Sequence, residues 1–374
     1  MIYLDNAATT PLLPEVVKEM FDVATDTFGN PSSIHRAGRA AAKIIRQSRD
    51  DIAAILAIPS RQLIFTSGGS EANNQAIIGY ALANQHKGKH LITTAIEHHS
   101  VLHTFAYLKD KHGFDITIVK PNVAGSLTAD SILAELRDDT ILVSTMYANN
   151  ETGQILPIAD IAKGVRAHQA VYHVDAVQVI GKLPIHPSEL GIDLLTAAAH
   201  KFHGPKGVGF LYQNNLVIDP LIHGGEQEEK RRAGTENIVG IVGMAKALMI
   251  AHQQMAENDA KVAELNTYLL SKLAGFDYYL NQFGELNMPH IINLGFPGMN
   301  QDLLLMKLDL QGVAISTGSA CTAGDIAPSH VLAAIYGSDS VKLKESVRVS
   351  FSELTTLTEL TEFVNILTSI LSRN

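Results

Sequence analysis

The chain has 374 residues, with 38 acidic and 29 basic side chains, a formal net charge of −9, and 46% apolar against 18% charged residues. That length exceeds what one hydrophobic core usually supports, so a large domain with a smaller one is expected, and the composition excludes a disordered chain. The acidic balance offers phosphate backbones no broad basic surface, so no direct nucleic-acid binding is expected, and the single Cys321 excludes an internal disulfide or a cysteine-cluster metal site within one chain.

The opening MIYLDNAATT has no basic leader ahead of an apolar run. The longest apolar stretches, such as VGMAKALMIAH, are short and interrupted. The expectation is a cytoplasmic protein with no signal peptide, no membrane span and no metal site. Helical spacing runs over 14–28 and 35–56. RQLIFTSGG reads as a strand ending in a glycine turn, and 70–85 as the helix that follows. KHLITTAIEHHS is a second strand and turn, and ITIVK, ILVSTMYANN, VYHVDAVQ and LLTAAAHK continue the series. Helices over 131–138 and 158–170 intervene. Strands separated by helices predict an α/β architecture, a mostly parallel sheet covered on both faces. Beyond a boundary near 250 comes a long helical pattern over 252–276. HIINLGF, QDLLLMKLDLQ, GVAIST, the Cys321 loop, PSHVLAAIYG, ESVRVSF and a closing amphipathic pattern over 356–373 follow. This assigns 14–250 to a large domain, and 1–13 with 251–374 to a smaller α/β domain carrying Cys321 and Arg348.

Several strand ends carry chemistry. Lys201 follows LLTAAAH and precedes GPKG, where a lysine reads either as a surface charge or as a desolvated amine able to form a Schiff base with an aldehyde. Asp175 ends VYHVD and reads either as a helix cap or as a carboxylate holding a protonated pyridine nitrogen, with Gln178 near the ring's oxygen. Gly69 and Ser70 open a helix after a strand, which suits either a capped turn or a phosphate. His98 follows the next strand, where an imidazole can stack on a heterocycle and carry protons. Asn150 in ANNETG carries an amide that could donate to a ring oxygen. Arg348 in ESVRVSF has the planar fork for a structural carboxylate or a substrate's. Cys321 lies in STGSACTAGD, a loop-like setting rather than a core one.

Taken in order, SGGSEANN, EHHS, NNETG, HVDAVQ, HKFHGPKG, RAGTEN, GSACT and RVSF resemble the pyridoxal-phosphate-dependent cysteine desulfurases of the NifS/IscS-like group, within the class V aminotransferases. The resemblance runs from LDNAATT to the last helix. It implies fold type I, with a large domain built on a mostly parallel seven-stranded sheet. It implies that Lys201 attaches the cofactor, Asp175 pairs with its ring nitrogen, Gln178 with its phenolic oxygen, and His98 stacks on the ring. Gly69, Ser70 and His200 would hold phosphate, with Thr235 reaching the phosphate of the other subunit of a homodimer. Asn150 would lie near the cofactor oxygen and the substrate, Arg348 would bind the carboxylate of L-cysteine, and Cys321 would accept sulfur as a persulfide. The sulfur would pass to an acceptor protein, an iron–sulfur scaffold or a tRNA-thiolating enzyme. A selenocysteine lyase, another aminotransferase-like enzyme and a non-catalytic sulfur-trafficking subunit share much of this pattern. Ala198 stands where the family has a phosphate-binding serine, and few residues follow RVSF, which departs from members with a long scaffold-docking tail.

Overall fold

The computed structural model describes residues 1–318 and 328–372. The strands are β1 (Ile2–Tyr3), β2 (Leu63–Thr66), β3 (His90–Thr94), β4 (Asp115–Val119), β5 (Thr140–Met146) and β6 (Val171–Asp175). β7 (Leu194–Ala198), β8 (Gly209–Gln213), β9 (Tyr279–Leu280), β10 (Ile291–Gly295), β11 (Val313–Ala314) and β12 (Ser346–Ser350) follow. Seven of them form one sheet in the order β2-β8-β7-β6-β5-β3-β4. All neighbours are parallel except β8, which runs antiparallel to both β2 and β7. The central strands are buried along their whole length. That is why they read as continuous apolar runs rather than alternating ones.

β8 is the strand the sequence reading lacks. It follows the GPKG turn and starts at Gly209, which has to lack a side chain. A Cβ there would overlap the Ala197 carbonyl oxygen and lie 2.9 Å from the Gly68 Cα. The close approach lets β8 lie between β2 and β7, so that the glycine turn after β2 reaches the same sheet edge as the end of β7.

A second core joins the antiparallel sheet β12-β10-β9 to the helices Met255–Leu273, Gln301–Asp309 and Leu357–Leu371. Ile2 and Leu4 belong to it, because β1 pairs with β11 and Asp5 bridges to Ser350. The helix His330–Tyr336 instead buries Val331 in the core beneath the seven-stranded sheet. The helix expected over 252–276 is present as Met255–Leu273, and a second helix that the sequence reading lacks runs directly before it. Ile238–Gln253 and Met255–Leu273 meet at Gln254 with a bend of 74°. The first is apolar all round and largely buried, so it has no amphipathic stripe to detect. No single helix among the described residues is long and apolar enough to cross a membrane.

Gly209→Ala is expected to cost about 1–3 kcal/mol of stability, because the methyl meets backbone that cannot rotate away. A denaturant titration against the parent chain measures it. An unchanged midpoint would mean that β8 has room the structure does not show.

Candidate active site

In a parallel sheet, ligands collect beyond the carboxyl ends of the strands. Here β2, β3, β5, β6 and β7 all deliver their C-terminal residues to one edge. A cavity of about 140 Å³ opens there, lined by Gly69, Ser70, Asn73, His98, Asn150, Asp175, Gln178, Ala198, His200, Lys201 and Arg348, with Ala7 and Ala8. Nine of the residues expected from the sequence therefore meet in one place: Gly69, Ser70, His98, Asn150, Asp175, Gln178, His200, Lys201 and Arg348, with Ala198 beside them where the family has its serine.

Asp175 ends β6 and is nearly buried. Its carboxylate accepts from Asn73 Nδ2 at 2.7 Å and from the Val177 N–H at 3.1 Å. The same Asn73 amide donates to Ser100 Oγ at 2.9 Å, and Ser100 Oγ is 2.8 Å from His98 Nδ1. His98 caps the helix His99–His112 through the Ser100 N–H at 3.1 Å. Burial pushes the His98 imidazole below its ordinary value, with the Asp175 charge opposing and Lys201 adding to the effect. His98 is thus held neutral near neutral pH.

Lys201 lies on the short turn after β7. Its Nζ donates to the carbonyls of Ala7 at 2.6 Å and Ala8 at 2.9 Å. Gln178 Nε2 also donates to the Ala7 carbonyl, at 3.0 Å. His200 faces Thr9 Oγ1 at 3.2 Å, and burial together with the neighbouring lysines pushes its pKa down to about 4. Arg348 is 1% exposed. It donates NH1 to the Asn150 carbonyl and NH2 to Asp5 Oδ1, each at 2.8 Å, while its buried Nε has no partner among the described residues.

Gly68 has φ +148°, a conformation that suits glycine, and the helix starting at Gly69 follows directly. The first N–H groups of a helix lack internal partners, so they face the cavity as donors. Thr235 does not line this cavity. It is exposed in another cleft, with Thr66, Ser67, Gly207 and Arg232. Cys321 lies outside the described residues.

Several contributors were not assigned from sequence. Asn73 holds Asp175, Asp5 holds Arg348, and Lys182 Nζ donates to the Lys201 carbonyl at 2.7 Å. Burial pushes Lys182 down to about 8, partly offset by Glu353. Glu97, one residue before His98, is fully buried. Burial raises its carboxyl to about 8 against hydrogen bonds from Thr94 and the Met146 N–H, with the Asp175 charge adding to the rise. A strand-end position marks Lys201, Asp175 and His98 in the sequence. Only SEANN carried a hint of Asn73, and nothing marked Glu97 or Lys182 beyond residue type.

Residues 2–363 match the family model for aminotransferase class-V. A putative cysteine desulfurase IscS 1 of Bacillus subtilis is 47% identical over 94% of this chain and 93% of its own length. A cysteine desulfurase IscS of Dictyoglomus turgidum is 43% identical over 100% of this chain and 95% of its own. A solved NifS-like protein superposes with a TM-score of 0.93 at 34% identity, covering 100% of both chains.

Folded, Glu97 keeps its proton up to about pH 8; unfolded, it releases it near the ordinary 4.5. Its contribution to stability therefore falls as pH rises through that window. Glu97→Gln is neutral throughout, so its melting temperature relative to the parent should climb between about pH 5 and about pH 8. A pH-independent difference would mean that Glu97 ionises normally in the fold.

Proposed function

The chain belongs to the aminotransferase class-V family, and from that premise we propose the following reading of its site. It is a pyridoxal-phosphate-dependent cysteine desulfurase. L-cysteine is its substrate and an acceptor receives the sulfur. The observation that carries the assignment of roles is the meeting of Lys201, Asp175, His98 and Arg348 around one cavity.

The residues present suit pyridoxal phosphate. Asp175 is a carboxylate fixed by two donors, suited to a ring N–H. Lys201 supplies an amine for the aldehyde, and His98 a neutral imidazole for the ring face. Gly69 and Ser70 offer the helix start for phosphate. A Cβ on Gly69 would lie 3.0 Å from Val177 Cγ2 and 3.5 Å from Ala198 Cβ, so bare backbone forms that wall. Ala198 offers no hydroxyl, which leaves His200, Ser70 and the backbone as the phosphate donors in this chain. When bound, the cofactor supplies an electron sink for bond breaking at the substrate carbon.

Arg348, which lines the cavity, binds the substrate carboxylate through its guanidinium. Asp5 and the Asn150 carbonyl hold the guanidinium still. Lys201, as the neutral amine, takes the α-proton. His98 accepts the proton of the substrate thiol or returns it. The Cys321 thiolate attacks the substrate sulfur. An S–S bond forms, the carbon–sulfur bond breaks, and its electron pair stays on carbon, which a proton converts to a methyl group. The balance is L-cysteine plus the Cys321 thiol giving L-alanine plus a Cys321 persulfide. An acceptor thiol then attacks the outer sulfur and frees Cys321.

The active unit is a homodimer. Thr235, exposed in its own cleft, reaches the cofactor phosphate of the partner. The exposed apolar side chains Val17, Phe21, Phe28 and Ile34 support a buried interface near the N-terminal helices. The acceptor is a cytoplasmic protein of iron–sulfur assembly or of tRNA thiolation, and the net charge of −9 favours a protein over the tRNA itself.

Purified protein loaded with pyridoxal phosphate is expected to form alanine from L-cysteine, and Cys321→Ser to reduce that at least about 100-fold. Alanine formation by the variant at the parental rate would remove Cys321 from the mechanism. The acid-side midpoint of kcat/KM is expected below 6.5, because burial keeps His98 neutral to lower pH. A midpoint above 6.5 would remove His98 as the required base.

A further inference from the structure

The turn after β5 carries a carboxylate that the chemistry above does not use. Glu151 is fully buried. The backbone of its turn is held without its side chain, because Asn149 Oδ1 accepts from the N–H groups of Glu151 and Thr152, each at 2.9 Å. The Glu151 side chain reaches elsewhere. Its Oε2 accepts the hydroxyl of Ser329, which in turn caps the helix His330–Tyr336 through the Leu332 N–H at 3.0 Å. Gly318 lies beside the same oxygen. A Cβ built at Gly318 would lie 3.3 Å from Oε2 and 3.0 Å from the Ser329 Cβ.

Gly318 and Ser329 flank residues 319–327, within which the sequence places Cys321. They belong to different bodies. Ser316, just before Gly318, pairs with Arg348 of β12, in the smaller core. Val331, just after Ser329, is buried in the larger one. Asn150, immediately before Glu151, gives its carbonyl to Arg348. One turn therefore touches the guanidinium with its backbone and both flanks of the cysteine-bearing segment with its side chain.

We propose that Glu151 is a positioning residue for sulfur transfer: its carboxylate holds Ser329 beside Gly318 and so sets the spacing of the two described residues that flank the cysteine-bearing segment 319–327. This rests on the cysteine desulfurase reading. A helix cap alone asks only for the Ser329 hydroxyl, and a buried carboxylate is a costly way to hold one. Its placement between two flanks from different cores gives that carboxylate a task. Gly318 is the complementary element, since a side chain there would push one flank off the carboxylate.

The test uses holoenzyme of the parent, Glu151→Gln, Glu151→Ala and Gly318→Ala. Three readouts are taken: L-cysteine affinity from the change in visible absorption, the single-turnover rate of persulfide formation on Cys321 by intact mass, and the rate of Cys321 alkylation by iodoacetamide. With one cysteine in the chain, the last two report a single site. Glu151→Ala and Gly318→Ala are expected to slow persulfide formation about 10- to 100-fold and to alter the alkylation rate, with Glu151→Gln intermediate. L-cysteine affinity should stay within about twofold, because the Asn150 carbonyl is held by backbone and Asn149. Persulfide formation at the parental rate in Glu151→Ala and Gly318→Ala overturns the role of Glu151 while leaving the enzyme reading intact. A loss of affinity and transfer together, in step with a lowered melting temperature, also overturns it, as general damage. A parent that forms neither persulfide nor alanine overturns the enzyme reading itself.

Discussion

The site depends on a strap of backbone at the start of the chain. Residues 2–6 lie against β11 and β12 in the smaller core, and Thr9, Thr10 and Leu13 bond to His200 and His203 after β7. Between these anchors, the carbonyls of Ala7 and Ala8 accept from Lys201 and Gln178, and Asp5 accepts from Arg348. The groups assigned to the cofactor and to the substrate carboxylate are thus set relative to each other through one short segment. Neither core could fix that relation alone, since Lys201 belongs to one and Arg348 to the other.

The charges around the site follow a consistent pattern. Each is held by a partner that also carries backbone geometry. Glu71 takes two bonds from Arg232, at 2.8 and 3.2 Å, and one from the Ser67 N–H at 2.8 Å. It thereby joins the phosphate-side helix to the segment leading to Thr235. Glu228 accepts from Arg49 at 2.6 Å and from the Phe65 N–H at 3.1 Å. It needs that hold, because Glu228, Glu229 and Lys230 all have positive φ, 48°, 56° and 67°. Non-glycine residues in that region cost about 1–3 kcal/mol each, and such strain concentrates at functional sites. Buried ion pairs add little net stability, but they specify one geometry out of several. Here the geometry specified is the path of the chain toward Thr235.

Much of this was legible before the structure. The parallel strands announce themselves as apolar runs, and Lys201, Asp175 and His98 stand where those runs stop. What escaped has physical reasons. β8 is short and begins at a glycine, and its antiparallel direction is a tertiary fact. The helix Ile238–Gln253 is apolar on every side, so periodicity had nothing to report. The π segment Gln75–Gly79, inside the helical stretch that starts at Gly69, leaves no mark in the pattern. The carbonyls of Ala7 and Ala8 carry no side-chain signature at all, and Glu97 looks like any glutamate until its burial is known. Thr235 is the opposite case. Its sequence context was distinctive, yet the structure places it in a cleft it does not share with Lys201.

The strap also sets an order of events. β1 pairs with β11, and the Asn6 N–H bonds to the Ser350 carbonyl, so residues 2–6 must wait for partners more than 300 positions away. Contacts that span almost the whole chain are slow to form. The seven-stranded sheet needs only residues 63–213, and it can be complete while Lys201 still lacks its carbonyl partners. The pocket around Lys201 and the arginine of β12 are therefore complete only once residues 2–8 have met both cores.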